Sequence, residues 1–171
     1  DTHLLDASYK FNDALKLSGY TYLIDLETDA FSNWTTGIRA EGSTAVREDL
    51  KFSYVAEYAY QEDYADNPVH YDASYYLLHG GVGLSMVDLG VGYEVLGSNS
   101  DAGSAFRTPL ATLHKFQGWA DRFVGVSSTG SYAPGLGGSG IEDFYISAAA
   151  NFLHGKFMLV YHDFEAETGG G

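Results

Sequence analysis

Apolar and polar residues alternate with a period of two along most of the chain. Across positions 50–62 the even residues are mainly Leu, Phe and Tyr, whereas the odd residues include Lys, Ser, Glu and Gln. A helix does not place alternate residues on one face, so this pattern predicts a strand with one apolar and one polar face. The same period predicts eight strands, at 3–11, 15–25, 35–45, 50–62, 70–80, 86–97, 141–152 and 156–166.

The phase of the alternation predicts the face on which each side chain lies, because a shift of one residue would invert a whole strand. The predicted apolar face carries Leu5, Tyr9, Leu17, Phe52, Tyr54, Tyr58, Tyr75, Leu89, Val91, Phe144, Ile146 and Leu159. The predicted polar face carries Lys10, Lys16, Arg39, Glu57, Asp72, Glu94, Asp143 and Asn151.

The predicted connections alternate between short and long. Short ones follow the first, third, fifth and seventh strands, and longer ones lie at 26–34, 63–69 and 98–140. Tight turns at one end and long loops at the other are typical of an outer-membrane β-barrel, as are strands of this length. We therefore expect an all-β, antiparallel up-and-down transmembrane barrel, with about eight strands of a larger barrel in this chain. The alternative is a soluble β-barrel or sandwich that binds a small ligand or carbohydrate, since soluble sheets with one wet face also alternate.

Composition narrows the classes of function. The formal net charge of −14 argues against nucleic acid, whose phosphates need Lys and Arg, and the absence of Cys excludes disulfides and thiolate sites. No stretch approaches the roughly 20 apolar residues of a membrane helix. The predicted strands also place both chain ends on the long-loop side. We therefore expect an internal piece of a larger barrel that would not close by itself.

The long connection at 98–140 holds the one predicted helix, near 109–117. Thr108 and Pro109 form a helix start signal, and Leu110, Leu113 and Phe116 recur at helical spacing. Four basic or titratable residues accompany it, namely Arg107, His114, Lys115 and Arg122. They could form a constriction that offers cations to an anionic solute, or the loop could simply pack its own apolar residues.

The segment FRTPLATLHKFQGWADRF, at positions 106–123, resembles a stretch of the alginate-export-like, porin-type outer-membrane proteins of proteobacteria. Over the other strands the likeness is one of pattern alone. The resemblance implies a large monomeric barrel of roughly 18 strands that passes a polysaccharide or small solute. An alginate conduit is expected to be lined with cations, whereas this chain is strongly acidic.

Few residues are spaced for catalysis or metal binding. The six His residues are scattered, and adjacent carboxylates such as Glu142 and Asp143 point to opposite faces of a strand. Asp63, Asp66 and Asn67 form a weak Ca²⁺ candidate, with a solvated acidic loop as the simpler interpretation. We expect a channel rather than an enzyme, with no cofactor. Its expected place is the bacterial outer membrane, and its expected partners are lipid, lipopolysaccharide and a small hydrophilic solute or saccharide.

Overall fold

The computed structural model of the chain describes residues 1–26, 31–108, 140–152 and 155–167. Within these ranges the chain is built from strands of 10–15 residues and two strands of two residues. They are β1 (Thr2–Asn12), β2 (Leu15–Ile24), β3 (Asn33–Arg47), β4 (Leu50–Asp63), β5 (Asp72–Leu84), β6 (Val87–Leu96), β7 (Ser98–Asn99), β8 (Ser104–Ala105), β9 (Gly140–Phe152) and β10 (Gly155–Glu167).

The eight long strands form one antiparallel sheet in the order β1-β2-β3-β4-β5-β6-β9-β10, and β7 pairs with β8 in a small separate hairpin. The prediction of eight antiparallel strands is confirmed. The sheet is not closed, since β1 and β10 each have a strand neighbour on one side alone. In the part of the chain that the structure describes, no helix is long and apolar enough to span a membrane.

Tight turns and long connections alternate as predicted wherever the chain is described. Two residues join β1 to β2, β3 to β4, and β5 to β6, whereas eight residues separate β2 from β3 and β4 from β5, and 43 separate β6 from β9. The turn after β5 comes later than predicted, because β5 continues through Gly81 and Gly83 to Leu84 in register with β4. The predicted helix near 109–117 and the turn after β9 lie outside the described residues.

The register gives the sheet two distinct faces, because directly opposed residues share a face. We call polar face the side that carries the row Arg39, Glu57, Leu77, Glu94 and Asp143, each opposite the next on the neighbouring strand. We call apolar face the opposite side. Large apolar side chains stand exposed there, with Leu78 60% and Leu159 72% accessible. Except in β5, the predicted phase of the alternation is the one observed.

In β5 the predicted phase is wrong. Tyr75 was expected on the apolar face but lies on the polar face, opposite Ala59 and Leu96. Asp72 was expected on the polar face but lies opposite Glu62 on the apolar face, where its carboxylate accepts a hydrogen bond from Asn99 at 3.2 Å. The reason is that Tyr75, Tyr76, Leu77 and Leu78 are large and apolar at both parities, so the local pattern carries no phase.

The one cluster of buried apolar residues lies at the long-connection end of the polar face, as far as the structure describes it. It comprises Ala59, Tyr71, Ala73, Leu96 and Phe106. Phe106 comes from the segment after β6, and its ring lies 5.5 Å from that of Tyr75. The beginning of the long connection therefore packs over the polar face rather than away from the sheet.

Candidate functional site

The polar face brings together most of the residues that the alternation predicted as pore-lining. Register places seven of these eight residues there: Lys10, Lys16, Arg39, Glu57, Glu94, Asp143 and Asn151. Asp72 is the exception. Because these side chains come from six strands, they form an extended surface rather than a compact pocket.

Charged side chains of β2, β3 and β4 form a connected network on this face. The Lys16 ammonium lies 2.9 Å from Glu41, which also accepts a hydrogen bond from Arg39 at 3.0 Å. Arg39 reaches Glu57 at 2.7 Å, and the second oxygen of Glu57 accepts a hydrogen bond from the Tyr20 hydroxyl at 2.7 Å. Positive and negative side chains alternate along the network, so each acid and each base has a partner of opposite charge. The network is therefore rigid and close to neutral.

Two glycines of the sheet make room for tyrosine rings. A Cβ atom on Gly37 would overlap the ring of Tyr20, and one on Gly92 would overlap the ring of Tyr145. Each ring therefore lies flat over the neighbouring strand, which brings the Tyr20 hydroxyl to Glu57 and the Tyr145 hydroxyl to within 3.2 Å of a His79 nitrogen. Each glycine thus lets a tyrosine hydroxyl reach a polar side chain two strands away from its own strand.

The other half of the polar face is more acidic. Glu94 and Asp143 lie directly opposite each other on β6 and β9, and both are buried. The Tyr75 hydroxyl donates to Glu94 at 2.7 Å, and a ring nitrogen of His162 lies 2.8 Å from Asp143. No Lys or Arg of the described chain forms an ion pair with either carboxylate. This half of the face therefore carries two acidic groups that have no Lys or Arg partner in the described chain.

Gln61 is the residue of the site that sequence reasoning missed. Its side chain has no exposed surface, and its amide group and the backbone of Arg107 exchange two hydrogen bonds, both of 2.7 Å. It also donates to the Thr35 hydroxyl at 2.8 Å and accepts from the Tyr71 hydroxyl at 3.0 Å. The local sequence does not predict this role, because Gln61 and Arg107 are 46 residues apart in sequence.

Arg107 does not offer its charge to the solvent, as the constriction interpretation of the loop would require. Its side chain is buried, with the guanidinium carbon 5.4 Å from the centre of the Phe31 ring and 5.3 Å from that of Tyr71. It also donates to the Ser104 hydroxyl at 2.9 Å. Contacts of this kind stabilise the fold of the segment. The other predicted constriction residues, His114, Lys115 and Arg122, lie outside the described residues.

The weak Ca²⁺ candidate is not assembled as a cluster of free oxygens. Asp63 uses its carboxylate on a ring nitrogen of His70 at 2.9 Å and on the backbone N–H of Tyr71 at 3.0 Å. The side-chain oxygen of Asn67 accepts from the backbone of Val69 at 2.9 Å, and Asp66 is exposed. Among the described residues, no group of three or more His, Asp or Glu side chains is arranged to hold a metal ion.

The apolar face changes character toward the end of the long connections. Tyr58, Tyr60, Tyr76 and Tyr93 lie there, and the hydroxyl of Tyr93 donates to Glu142 at 2.7 Å. Farther from that end lies an apolar groove of about 350 Å³, lined among others by Tyr54, Leu78, Val91 and Phe144. The face therefore consists of a mainly apolar region bordered by tyrosines and by acids, among them Asp163 opposite Phe144.

A comparison of the chain with models of protein families, with curated proteins and with solved structures found no match. The resemblance of positions 106–123 to porin-type outer-membrane proteins therefore stays a prediction.

Proposed function

We propose that the eight-stranded sheet is part of the wall of a porin-like channel in the bacterial outer membrane, through which small hydrophilic solutes or saccharides diffuse. The observation that carries the proposal is the division of one continuous sheet into two faces. Polar, hydrogen-bonded side chains occupy one face, while large apolar side chains stand exposed on the other. A transmembrane barrel needs this division, since one face meets water and the other meets lipid.

The size of the exposed apolar surface favours lipid as its environment. Soluble monomers rarely expose contiguous apolar patches larger than a few hundred Å². Here exposed Leu, Ile, Val, Phe and Tyr side chains recur on one face of seven of the long strands, from Tyr9 on β1 to Leu159 on β10. Strands of 10–15 residues are also long enough to cross a hydrocarbon core when tilted.

The tyrosines near the long connections fit a membrane boundary. Aromatic side chains with a polar tip concentrate where hydrocarbon meets headgroups. Tyr93 has this arrangement, since its ring extends the apolar face and its hydroxyl donates to Glu142 at 2.7 Å. Acids beyond such a girdle, Glu62 and Glu165 among them, would face the headgroup layer, where divalent ions can bridge them to lipopolysaccharide.

The polar face supports passage rather than chemistry. Several of its charges are paired with one another, as in the chain from Lys16 through Glu41 and Arg39 to Glu57. They therefore provide fixed charges on the wall rather than a free nucleophile–base pair. Selectivity in such a channel comes from the width of the lumen and the charges on its wall. Because Glu94 and Asp143 lie on one half of the face without a Lys or Arg partner among the described residues, we expect a modest preference for cations that weakens as salt rises.

Two measurements on the protein expressed from its complete gene test this function. The first is fractionation, in which a channel is recovered in outer membranes and requires detergent for extraction. The second is reconstitution, in which we expect discrete conductance steps in a planar bilayer and uptake of uncharged saccharides into vesicles. Recovery in the soluble fraction together with an absence of conductance would refute the channel and favour a soluble binding domain.

A further inference from the structure

The segment that follows β6 folds back over the polar face. The backbone N–H of Gly97 donates to the Ser74 carbonyl at 2.8 Å, and that of Phe106 donates to the Gly97 carbonyl at 2.9 Å. Between these two bonds lies the β7–β8 hairpin, and Ser104, Ala105 and Phe106 are buried. We call residues 98–108 the docked segment.

Gln61 forms a reciprocal link between the end of the docked segment and the sheet, while Ser98 at its start is bonded to Glu167 of β10. The Gln61 Nε2 group donates to the Arg107 carbonyl, while its Oε1 atom accepts from the Arg107 N–H, both at 2.7 Å. A single orientation of the amide satisfies this reciprocal pair, since an N–H can only donate and a carbonyl can only accept. The link therefore specifies where along the sheet the segment sits.

Undocking would break two hydrogen bonds of Gln61. The bonds to Thr35 at 2.8 Å and from Tyr71 at 3.0 Å lie within the sheet, where Nε2 also has the Asn33 Oδ1 atom at 3.4 Å. Undocking therefore exchanges the two 2.7 Å bonds to Arg107 for this longer contact and for water. Hydrogen bonds within the protein keep a modest net advantage over the bonds to water that would replace them. The arrangement thus favours the docked position more strongly than the packing of Phe106 alone would.

We propose that Gln61 is the positioning residue that holds the docked segment against the polar face and thereby sets the free width of the lumen. The inference rests on the proposed channel, because the polar face then faces the water-filled pore. A segment docked on that face occupies lumen space, whereas an undocked one frees it. Gln61 itself need not touch the solute.

The position of the segment can be measured by thiol modification. Because the chain has no Cys, Ser104→Cys introduces a single thiol at a fully buried position of β8. A water-soluble thiol reagent modifies it at a rate set by the undocked population. Each lost hydrogen bond is worth roughly a two- to tenfold change in that population. We therefore expect Gln61→Met in the Ser104→Cys background to raise the rate by about tenfold or more.

Two further variants show whether Gln61 has a specific role. Thr35→Val is the matched control, because it removes a hydrogen bond of Gln61 within the sheet and leaves both bonds to the docked segment. Phe106→Ala loosens the segment without touching Gln61. We expect a modification rate close to that of the parent for Thr35→Val and an increased rate for Phe106→Ala. Thermal melting of the sheet should stay close to that of the parent in all of them.

Uptake of uncharged saccharides of increasing size into vesicles then tests the effect on width. Gln61→Met and Phe106→Ala should admit larger saccharides than the parent and Thr35→Val. If Phe106→Ala admits larger saccharides and Gln61→Met does not, or if Gln61→Met leaves the thiol rate unchanged, the role of Gln61 is overturned. If the parent admits no saccharide, the channel fails, while the thiol rates still decide whether Gln61 holds the segment.

Discussion

Replacing Gly37 with alanine puts a methyl group where the ring of Tyr20 lies. The ring can leave only by rotating away, and it then loses the 2.7 Å hydrogen bond from its hydroxyl to Glu57. Hydrogen bonds to a charged group contribute about 1.5–3 kcal/mol. An alanine that causes no strain gains about 0.4–1 kcal/mol by restricting the unfolded chain. We therefore expect Gly37→Ala to lower the free energy of unfolding by roughly 1–2 kcal/mol.

Gly80→Ala is the matched control for this experiment. Gly80 lies on the apolar face of β5, and no atom lies within 4 Å of the position that its Cβ would take. The same substitution there should be neutral or slightly stabilising. Urea-induced unfolding of both variants in lipid vesicles or detergent measures the difference directly.

A double-mutant cycle shows whether the loss comes from the tyrosine. In a Tyr20→Phe background the hydrogen bond to Glu57 is already absent, so Gly37→Ala should cost less than in the parent. Equal stability of Gly37→Ala and Gly80→Ala would refute the reasoning. An undiminished cost in the Tyr20→Phe background would also refute it, because the cost would then come from the backbone.

Three further predictions concern other parts of the sheet. Ile146→Arg, on the apolar face, should lower the free energy of unfolding in a membrane by about 2–4 kcal/mol. Ser147→Arg, on the polar face, should lower it much less, and equal losses would contradict the assignment of faces. Gly42→Ala should lower the free energy of unfolding by about 1–3 kcal/mol in the same assay, because its Cβ would overlap backbone atoms that no side-chain rotation can move. Unchanged stability would contradict that overlap. Burial alone would raise the pKa of the Asp63 carboxyl, but the hydrogen bond with His70 and one from the backbone outweigh it and hold the pKa below its usual range. This stabilisation is present above about pH 4 and is lost as pH falls through the lowered pKa, so the advantage of the parent over Asp63→Asn should shrink on acidification, and a constant difference would count against it.

The alternation of side chains carries most of the information about the fold. In β4 the large side chains fall at one parity, and the observed faces follow that pattern. In β5 the alternation is absent at the pairs Tyr75–Tyr76 and Leu77–Leu78. The faces of this strand are set instead by its pairing with β4, where Glu57 lies opposite Leu77. The local sequence of a strand does not predict a register that depends on pairing with another strand.

The candidate site was predictable as a set of charges but not as a set of contacts. Lys16, Arg39 and Glu57 follow from the polar phase of their strands, whereas the bonds that join them depend on the relative register of β2, β3 and β4. The docking of Arg107 onto Gln61 depends on a loop that returns to the sheet. The basic character of Arg107 left open whether it faces a solute or packs within the loop, and in the structure its guanidinium is packed against aromatic rings.

The central claim is that one face of the sheet meets lipid and the other meets water, and alternate single cysteines along β4 test it most directly. Because the chain has no Cys, Phe52→Cys, Ser53→Cys, Tyr54→Cys and Val55→Cys each introduce a single thiol. With the protein in its native membrane, a membrane-impermeant maleimide should label positions 53 and 55 and leave 52 and 54 unlabelled. The accessibility of the sheet by itself does not give this order, since Phe52 is 46% exposed and Val55 is partly buried. Labelling of positions 52 and 54 as fast as of 53 and 55 would contradict the account.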